Sequence, residues 1–218
     1  MKNFALLLAI LVPVLTMHAQ VGTGEAAPSS IHQLAPLDRA HTSFPAVTDD
    51  RIDEIMAYQA EYGGPDPFAH IFETAIDPQR DGTWTDLPNG DRLWRVRISA
   101  DAAHGTILYY RDFALPEGSK LFLYTPDRSQ RVGAITPDFN MADGGFATQI
   151  MEGEDVIVEY LEPASARGTR PFVIDGVASM FRAMNDGSSD PAEAFGSSDP
   201  CQVNVNCSPE GDEYQDEK

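Results

Sequence analysis

The stretch RLWRVRIS, residues 92–99, decides the fold that we expect for this chain. Apolar and charged residues alternate along it, so that Trp94, Val96 and Ile98 share one face, and Leu93 and two arginines share the other. A repeat of two residues is typical of a β-strand that turns one face to the core. We therefore expect the face that carries Trp94 to be buried.

Short runs of the same kind recur along the middle of the chain, with Gly, Pro and Asp turns between them. Their spacing of about ten residues is typical of a β-sandwich or jelly roll. We predict an all-β, sandwich-like domain of about nine strands. The predicted strands are residues 69–76, 83–85, 92–99, 106–113, 120–125, 131–135, 146–150, 156–161 and 172–180.

One short helix precedes the strands. Asp49 or Asp50 is its predicted cap, and the sequence GGP at residues 63–65 ends it. One face of this helix is partly apolar and is formed by Ile52, Ile55, Met56 and Gln59. The helix and the strands together make up a predicted domain over residues 49–182.

Both ends of the chain differ in composition from this domain. Lys2, twelve apolar residues at 4–15 and Ala19 form the pattern of an export signal over residues 1–19. Residues 20–48 predict an irregular, loosely docked leader, because they are rich in Pro, Ala, Ser and Thr. The sequence GSSDP occurs twice near residues 183–200 and predicts a flexible linker. We expect disordered termini on both sides of the domain.

The charge of the chain excludes some partners. Its 218 residues include 34 acidic and 15 basic side chains, which give a formal net charge of −19. Such a chain repels the phosphates of nucleic acids and anionic lipid headgroups. We expect a monomer that is secreted or periplasmic, with no nucleic-acid partner and no membrane contact once the signal is removed.

No familiar catalytic motif occurs in the sequence, neither GxSxG nor a P-loop nor HExxH. His32 and His41 lie in the leader, His70 lies on a predicted strand and His104 lies in a turn. An isolated histidine on a strand is usually packed or solvated, and nothing marks a serine nucleophile beside it. We predict no catalytic residue and no cofactor in this chain.

The acidic residues have an ordinary explanation as turn residues. Carboxylates favour turns because they accept local hydrogen bonds there, whereas a glycosidase pair must flank a cleft. The acidic residues in predicted turns include Asp81, Asp91, Asp127, Asp143 and Glu152. Residues 138–143 could supply oxygen ligands to calcium, but their spacing differs from that of an EF-hand. We expect a plain loop there and no metal site.

Aromatic residues cluster on the predicted strands. In-phase aromatic residues on strands usually form core or cross-strand pairs, although on a jelly roll they can also stack on sugars. We expect a core role for them. These residues are Trp84, Trp94, Tyr109, Tyr110, Phe122 and Tyr124.

Two stretches resemble a known family. The run from Leu93 to Phe181 contains WRVRI at 94–98, GSKLFLY at 118–124, GFATQ at 145–149 and EDVIVEYLEP at 154–163. It resembles the N-terminal pro-region of secreted bacterial trypsin-like serine endopeptidases of the lysyl endopeptidase type. The sequence DPCQVNVNCSPEGD at 199–212 looks like the start of the mature protease in that family.

The resemblance implies a precursor with a signal peptide, a non-catalytic pro-domain and, at residues 201–218, the first part of a protease domain. The catalytic residues of that protease would follow residue 218. The pro-domain would assist the folding of its own protease domain in cis, or mask it. The resemblance also implies that Cys201 and Cys207 bond to partners beyond residue 218.

The residues alone leave two alternatives open. Cys201 and Cys207 could instead form a small disulfide loop with each other. The domain could instead be a free-standing extracellular β-sandwich module that binds carbohydrate or calcium.

Overall fold

A computed structural model describes residues 24–37 and 42–183 of the chain. The predicted signal peptide, His41, most of the linker, Cys201 and Cys207 lie outside the described residues. The helices and strands are, in chain order, α1 (Pro28–Ile31), β1 (Thr42–Phe44), α2 (Asp49–Tyr62), β2 (Ala69–Ile76), β3 (Thr83–Asp86), β4 (Arg92–Ala100), β5 (Gly105–Arg111), β6 (Lys120–Tyr124), β7 (Arg131–Ile135), β8 (Phe146–Ala147), β9 (Met151–Glu152), β10 (Asp155–Glu162) and β11 (Val173–Met180). Short 3-10 turns occupy Pro137–Phe139 and Ala164–Ala166.

The strands form two sheets, which confirms the predicted all-β fold. The first, sheet A, has the order β1-β4-β10-β6-β7, and β3 pairs with β4 as well. The second, sheet B, has the order β2-β11-β5-β8, and β9 pairs with β5. All pairings are antiparallel except that of β1 with β4, which is parallel.

The main core lies between the two sheets. Trp94, Val96 and Ile98 of β4 are at most 1% exposed and belong to one buried cluster with Leu108 of β5 and Val177 of β11. This confirms the face that the alternation of residues 92–99 predicts. Burying side chains of this size stabilises the fold by about 1.5–3 kcal/mol each.

The predicted strand at residues 146–150 is not a single strand. Two two-residue strands, β8 and β9, take its place, and both pair with β5. Between them the side chain of Thr148 accepts a hydrogen bond from the backbone N–H of Leu108, and the N–H of Thr148 donates to the carbonyl of Leu108. These bonds satisfy the backbone where the regular ladder is interrupted.

Helix α2 matches its prediction except at the cap. Thr48, not Asp49 or Asp50, is the N-cap, and its hydroxyl accepts a hydrogen bond from the N–H of Arg51. The two aspartates lie in the first turn, where their charge suits the helix dipole. The face predicted to be partly apolar is half-buried, and Gly63 ends the helix with a φ of 76°. No helix in the described ranges is long and apolar enough to cross a bilayer.

The prediction of a loosely docked leader does not describe residues 24–37, which we call the arm. Ala27, Pro28 and Ser29 of the arm are buried against sheet A. Residues 42–44, also in the predicted leader, form the strand β1 beside β4. The leader therefore supplies one edge strand and the cover of one outer face of the sandwich.

Candidate functional site

The two histidines near strands have separate environments. The ring of His70 lies edge-on to that of Phe72, with centroids 4.7 Å apart. Burial, and then the charge of Arg51, lower the pKa of His70, which keeps the ring neutral at physiological pH. The main chain of His104 pairs with Met180 and Gly153. Within residues 24–37 and 42–183, neither imidazole is hydrogen-bonded to a serine or a carboxylate.

The acidic turn residues behave as local acceptors. Asp127 accepts hydrogen bonds from Thr125 and from the N–H and hydroxyl of Ser129. These bonds lower the pKa of its carboxyl group. Asp143 accepts from the N–H of Gly145 in the same way. Asp81 and Asp91 accept backbone N–H bonds from Asp77 and Ala164, while Glu152 has an exposed side chain.

The candidate calcium loop is held by its own hydrogen bonds. The side-chain amide of Asn140 donates to the carbonyl of Leu115 and accepts from its N–H, at 2.9 and 2.8 Å. Asp138 accepts from the hydroxyl of Thr136. Across the described part of the chain, no group of three or more His, Cys, Asp and Glu residues is placed to hold a metal ion. The side chain of Asn140 therefore ties this loop to Leu115.

Most of the aromatic residues are core residues, as predicted. Trp94, Tyr110, Phe122 and Tyr124 are at most 3% exposed, so they offer no platform to a sugar. Trp84 is half-buried, and the guanidinium of Arg92 lies 3.8 Å from its ring centroid. Tyr109 is half-buried on the outer face of sheet B and lines a surface groove there.

The outer face of sheet A carries buried charged residues that the sequence does not predict. Glu159 of β10 is fully buried, and Arg95 of β4, its direct neighbour in the ladder, is 6% exposed. Alternation puts both residues opposite the core face, where a solvated side chain is expected. No sequence signal marks their burial, because the segment that covers them is the arm.

The arm is held mainly through its main chain. The N–H of Ser29 donates to Oε1 of Glu159 at 2.8 Å, and the hydroxyl of Tyr124 donates to Oε2 at 2.7 Å. Farther along the arm, Arg95 donates to the carbonyl of Ala35 and Arg97 to that of Leu37. At its start, Glu25 pairs with Lys120.

A small apolar cluster lies under the arm. Ala27 and Leu37 of the arm pack with Phe122, Tyr124, Ala134 and Ile157 of sheet A. Buried charges must be paired or hydrogen-bonded to be tolerated, and the arm supplies one hydrogen bond to Glu159 and one to Arg95, together with apolar cover. The Nε of Arg95 is buried without a hydrogen-bond partner. The outer face of sheet A is therefore closed by the chain itself.

The outer face of sheet B is different, because large apolar side chains lie open on it. Ile71 of β2, Ala178 of β11 and Ile107 of β5 form one row across three strands, in direct register. Gly176 and Tyr109 are partners in the neighbouring row. Ile71 is 50% exposed, and Met141, in the loop beside Tyr109, is 62% exposed. We call Ile71, Ile107, Tyr109 and Met141 the sheet B patch.

A shallow groove of about 450 Å³ forms one end of the sheet B patch. Tyr109, Met141, Phe146 and Ala147 supply its apolar lining, and the carboxylates of Asp143 and Asp175 flank it. Clustered exposed apolar side chains with a polar rim are typical of surfaces that bind proteins. This face can therefore provide contact area and charge, whereas the described residues place no nucleophile with a base in reach.

No family model matches this chain, and a search of curated proteins found no match.

Proposed function

We propose that the sandwich is the pro-domain of an exported serine endopeptidase of the trypsin-like class, and that it binds its own protease domain. In this role it assists the folding of that domain, masks it, or does both. Within residues 24–37 and 42–183, no serine is hydrogen-bonded to a histidine base. The contribution of the sandwich is a binding surface.

The observation that carries the proposal is the division of the chain at the end of β11. The last strand of the sandwich ends at Met180, and the protease-like stretch at 199–212 begins 19 residues later. The two parts are separated by the Gly, Ser, Asp and Pro residues of 183–200. Segments rich in small and polar residues are where proteases cut most readily when they are exposed.

The positions of the family-like segments also support the proposal. Residues 94–98 lie in β4, residues 120–124 in β6 and residues 155–162 in β10. These three strands are adjacent in sheet A. The fourth family-like segment, residues 145–149, includes β8 at the edge of sheet B. Three of the four segments therefore form one continuous part of sheet A.

The slow folding of a protease domain gives a pro-domain a physical role. A trypsin-like protease is a double β-barrel with many contacts between residues far apart in sequence, and domains of that kind fold slowly. A partner that folds first and binds the native-like surface lowers the free energy of that surface relative to the unfolded chain. The same contact blocks access to the active site when it covers the cleft.

Inhibition in trans tests the masking role. The protease domain, beginning at Cys201, is purified in active form and assayed on a peptide substrate with increasing amounts of this chain. We expect inhibition that saturates with concentration and is relieved when the chain is digested. An unchanged rate at every concentration would remove the masking role, and a reading frame without a protease domain would remove the whole proposal.

A further inference from the structure

We infer that the sheet B patch is the surface that binds the protease domain beginning at Cys201. This inference rests on the proposed function and assigns its contact surface. The described residues offer two outer sheet faces, and only one of them is open. The arm covers the face of sheet A with hydrogen bonds to Glu159, Arg95 and Arg97, whereas Ile71 and Met141 of the sheet B patch remain at least half exposed.

The path of the chain favours sheet B. The linker starts from β11, which lies between β2 and β5 within that sheet. Ala178, in the row of Ile71 and Ile107, lies two residues before the end of β11, which corresponds to about 7 Å along a strand. The chain therefore leaves the sandwich beside the patch.

The length of the linker allows the contact. Residues 183–200 are 18 residues long. Eighteen residues span at most about 60 Å when fully extended, so the chain is long enough for the following domain to reach the sheet B patch.

A small residue lies at the centre of the patch. A Cβ added at Gly176 would lie 3.3 Å from both Ile71 and Tyr109, so these two side chains already close over the glycine. They therefore form one apolar surface across β2, β11 and β5, of the kind that binds a protein partner.

The charged residues around the sheet B patch indicate which charge the partner carries there. Glu73 pairs with Gly176 in the ladder, and Asp143 and Asp175 flank the groove. Arg111 pairs with Asp112 at 2.8 Å and also lies 4.0 Å from the carboxylate of Asp175, so the acidic residues of the rim outnumber this basic one. An acidic rim is complementary to lysine or arginine side chains. We therefore assign to the partner a protein surface with an apolar centre and a basic rim.

Paired substitutions test the surface. Ile71→Glu and, as a second variant, Met141→Glu place a charge in the patch at side chains that are 50% and 62% exposed. Ile31→Glu is the matched control, because Ile31 is 65% exposed on the arm at the other sheet. Circular dichroism and thermal unfolding verify that each full-chain variant is folded.

The readout is the dissociation constant of each variant with the separately purified downstream domain, measured by calorimetry. We expect the two patch variants to bind at least tenfold more weakly and Ile31→Glu to change the constant less than twofold. If the wild-type chain binds and the patch variants bind equally well, the surface assignment is wrong while the proposed function stands. Equal weakening by Ile31→Glu would overturn the assignment too. If the wild-type chain does not bind, the proposed function and the surface fail together.

Discussion

The backbone N–H of Ser29 donates a 2.8 Å hydrogen bond to the fully buried carboxylate of Glu159, 130 residues later in the chain. The hydroxyl of Tyr124 donates to the second oxygen of that carboxylate. The arm therefore supplies part of the hydrogen bonding that makes this buried charge tolerable.

Replacing Glu159 with alanine tests this relationship. The substitution leaves the Ser29 N–H and the Tyr124 hydroxyl without their acceptor under the arm, so we expect a loss of about 2–4 kcal/mol in the free energy of unfolding. Glu152→Ala is the control, because that side chain is exposed, and it should change stability by less than about 0.5 kcal/mol. Urea unfolding measures both. Equal effects of the two substitutions would contradict the role given to Glu159.

Docking of the arm can be tested at two neighbouring alanines. Ala27 of the arm is fully buried against sheet A, whereas its neighbour Ala26 is exposed. Ala27→Asp forces a carboxylate against Phe122 and Ile157, so we expect the arm to detach and become sensitive to proteases. Limited proteolysis with mass spectrometry should show cleavage within residues 24–37 in Ala27→Asp and not in Ala26→Asp. An arm that is cut equally fast in the wild type would show that it is not docked.

The buried contact between Tyr124 and Glu159 predicts that folding stability falls at alkaline pH. Burial, and then the charge of Glu159, raise the pKa of Tyr124 to about 12. Because the folded pKa lies above the unfolded value of about 10, the stabilising contribution is complete below pH 10 and is lost as the pH rises towards 12.

The variant Tyr124→Phe should therefore lose less stability than the wild type between pH 10 and 12, although it is less stable at neutral pH. Tyr58→Phe, at a residue that is 67% exposed, should keep the wild-type slope. Unfolding by urea at a series of pH values measures the slope. Parallel curves for Tyr124→Phe and the wild type would show that this phenol does not govern the alkaline loss.

Asp155 contributes to the loss of folding stability at acidic pH. Hydrogen bonds from Arg97, at 3.1 and 2.8 Å, are the largest cause that lowers the pKa of this carboxyl group, and the hydroxyl of Ser99 adds to it. A lowered folded pKa stabilises the fold above the unfolded value of about 3.9, and this contribution is lost as the pH falls below it.

We therefore expect Asp155→Asn to be less stable than the wild type near neutral pH. As the pH falls below 4, it should lose less folding stability than the wild type does. Asp101→Asn, at an exposed residue, is the control and should leave the acid profile unchanged. Thermal unfolding as a function of pH measures both. If the stability of Asp155→Asn falls with decreasing pH as steeply as that of the wild type, the ion pair of Arg97 and Asp155 is not a source of acid sensitivity.

The sequence alone was sufficient to predict which strand faces form the core of the sandwich. Alternation at 92–99 correctly placed Trp94, Val96 and Ile98 in the core, and the predicted bounds of β2 and β7 are those of the structure. These features depend on local periodicity, because burial of one strand face imposes a repeat of two residues.

The sequence alone was not sufficient to predict what covers the outer faces of the sheets. Ser29 and Glu159 are brought together across 130 residues, and no local pattern in either segment encodes that contact. The parallel pairing of Thr42 with Ile98 was missed for the same reason. The helix cap was missed more locally, because Thr48, Asp49 and Asp50 are all favourable cap residues and only the backbone geometry decides between them.

Refolding kinetics of the downstream protease domain test the central claim most directly. The denatured domain is diluted into buffer with increasing concentrations of this chain, and recovered peptidase activity is followed after the chain is digested. We predict that the rate and yield rise with concentration and reach a plateau, as expected when a folded partner binds a native-like surface. A rate and yield independent of the concentration of this chain would contradict its role as a folding partner.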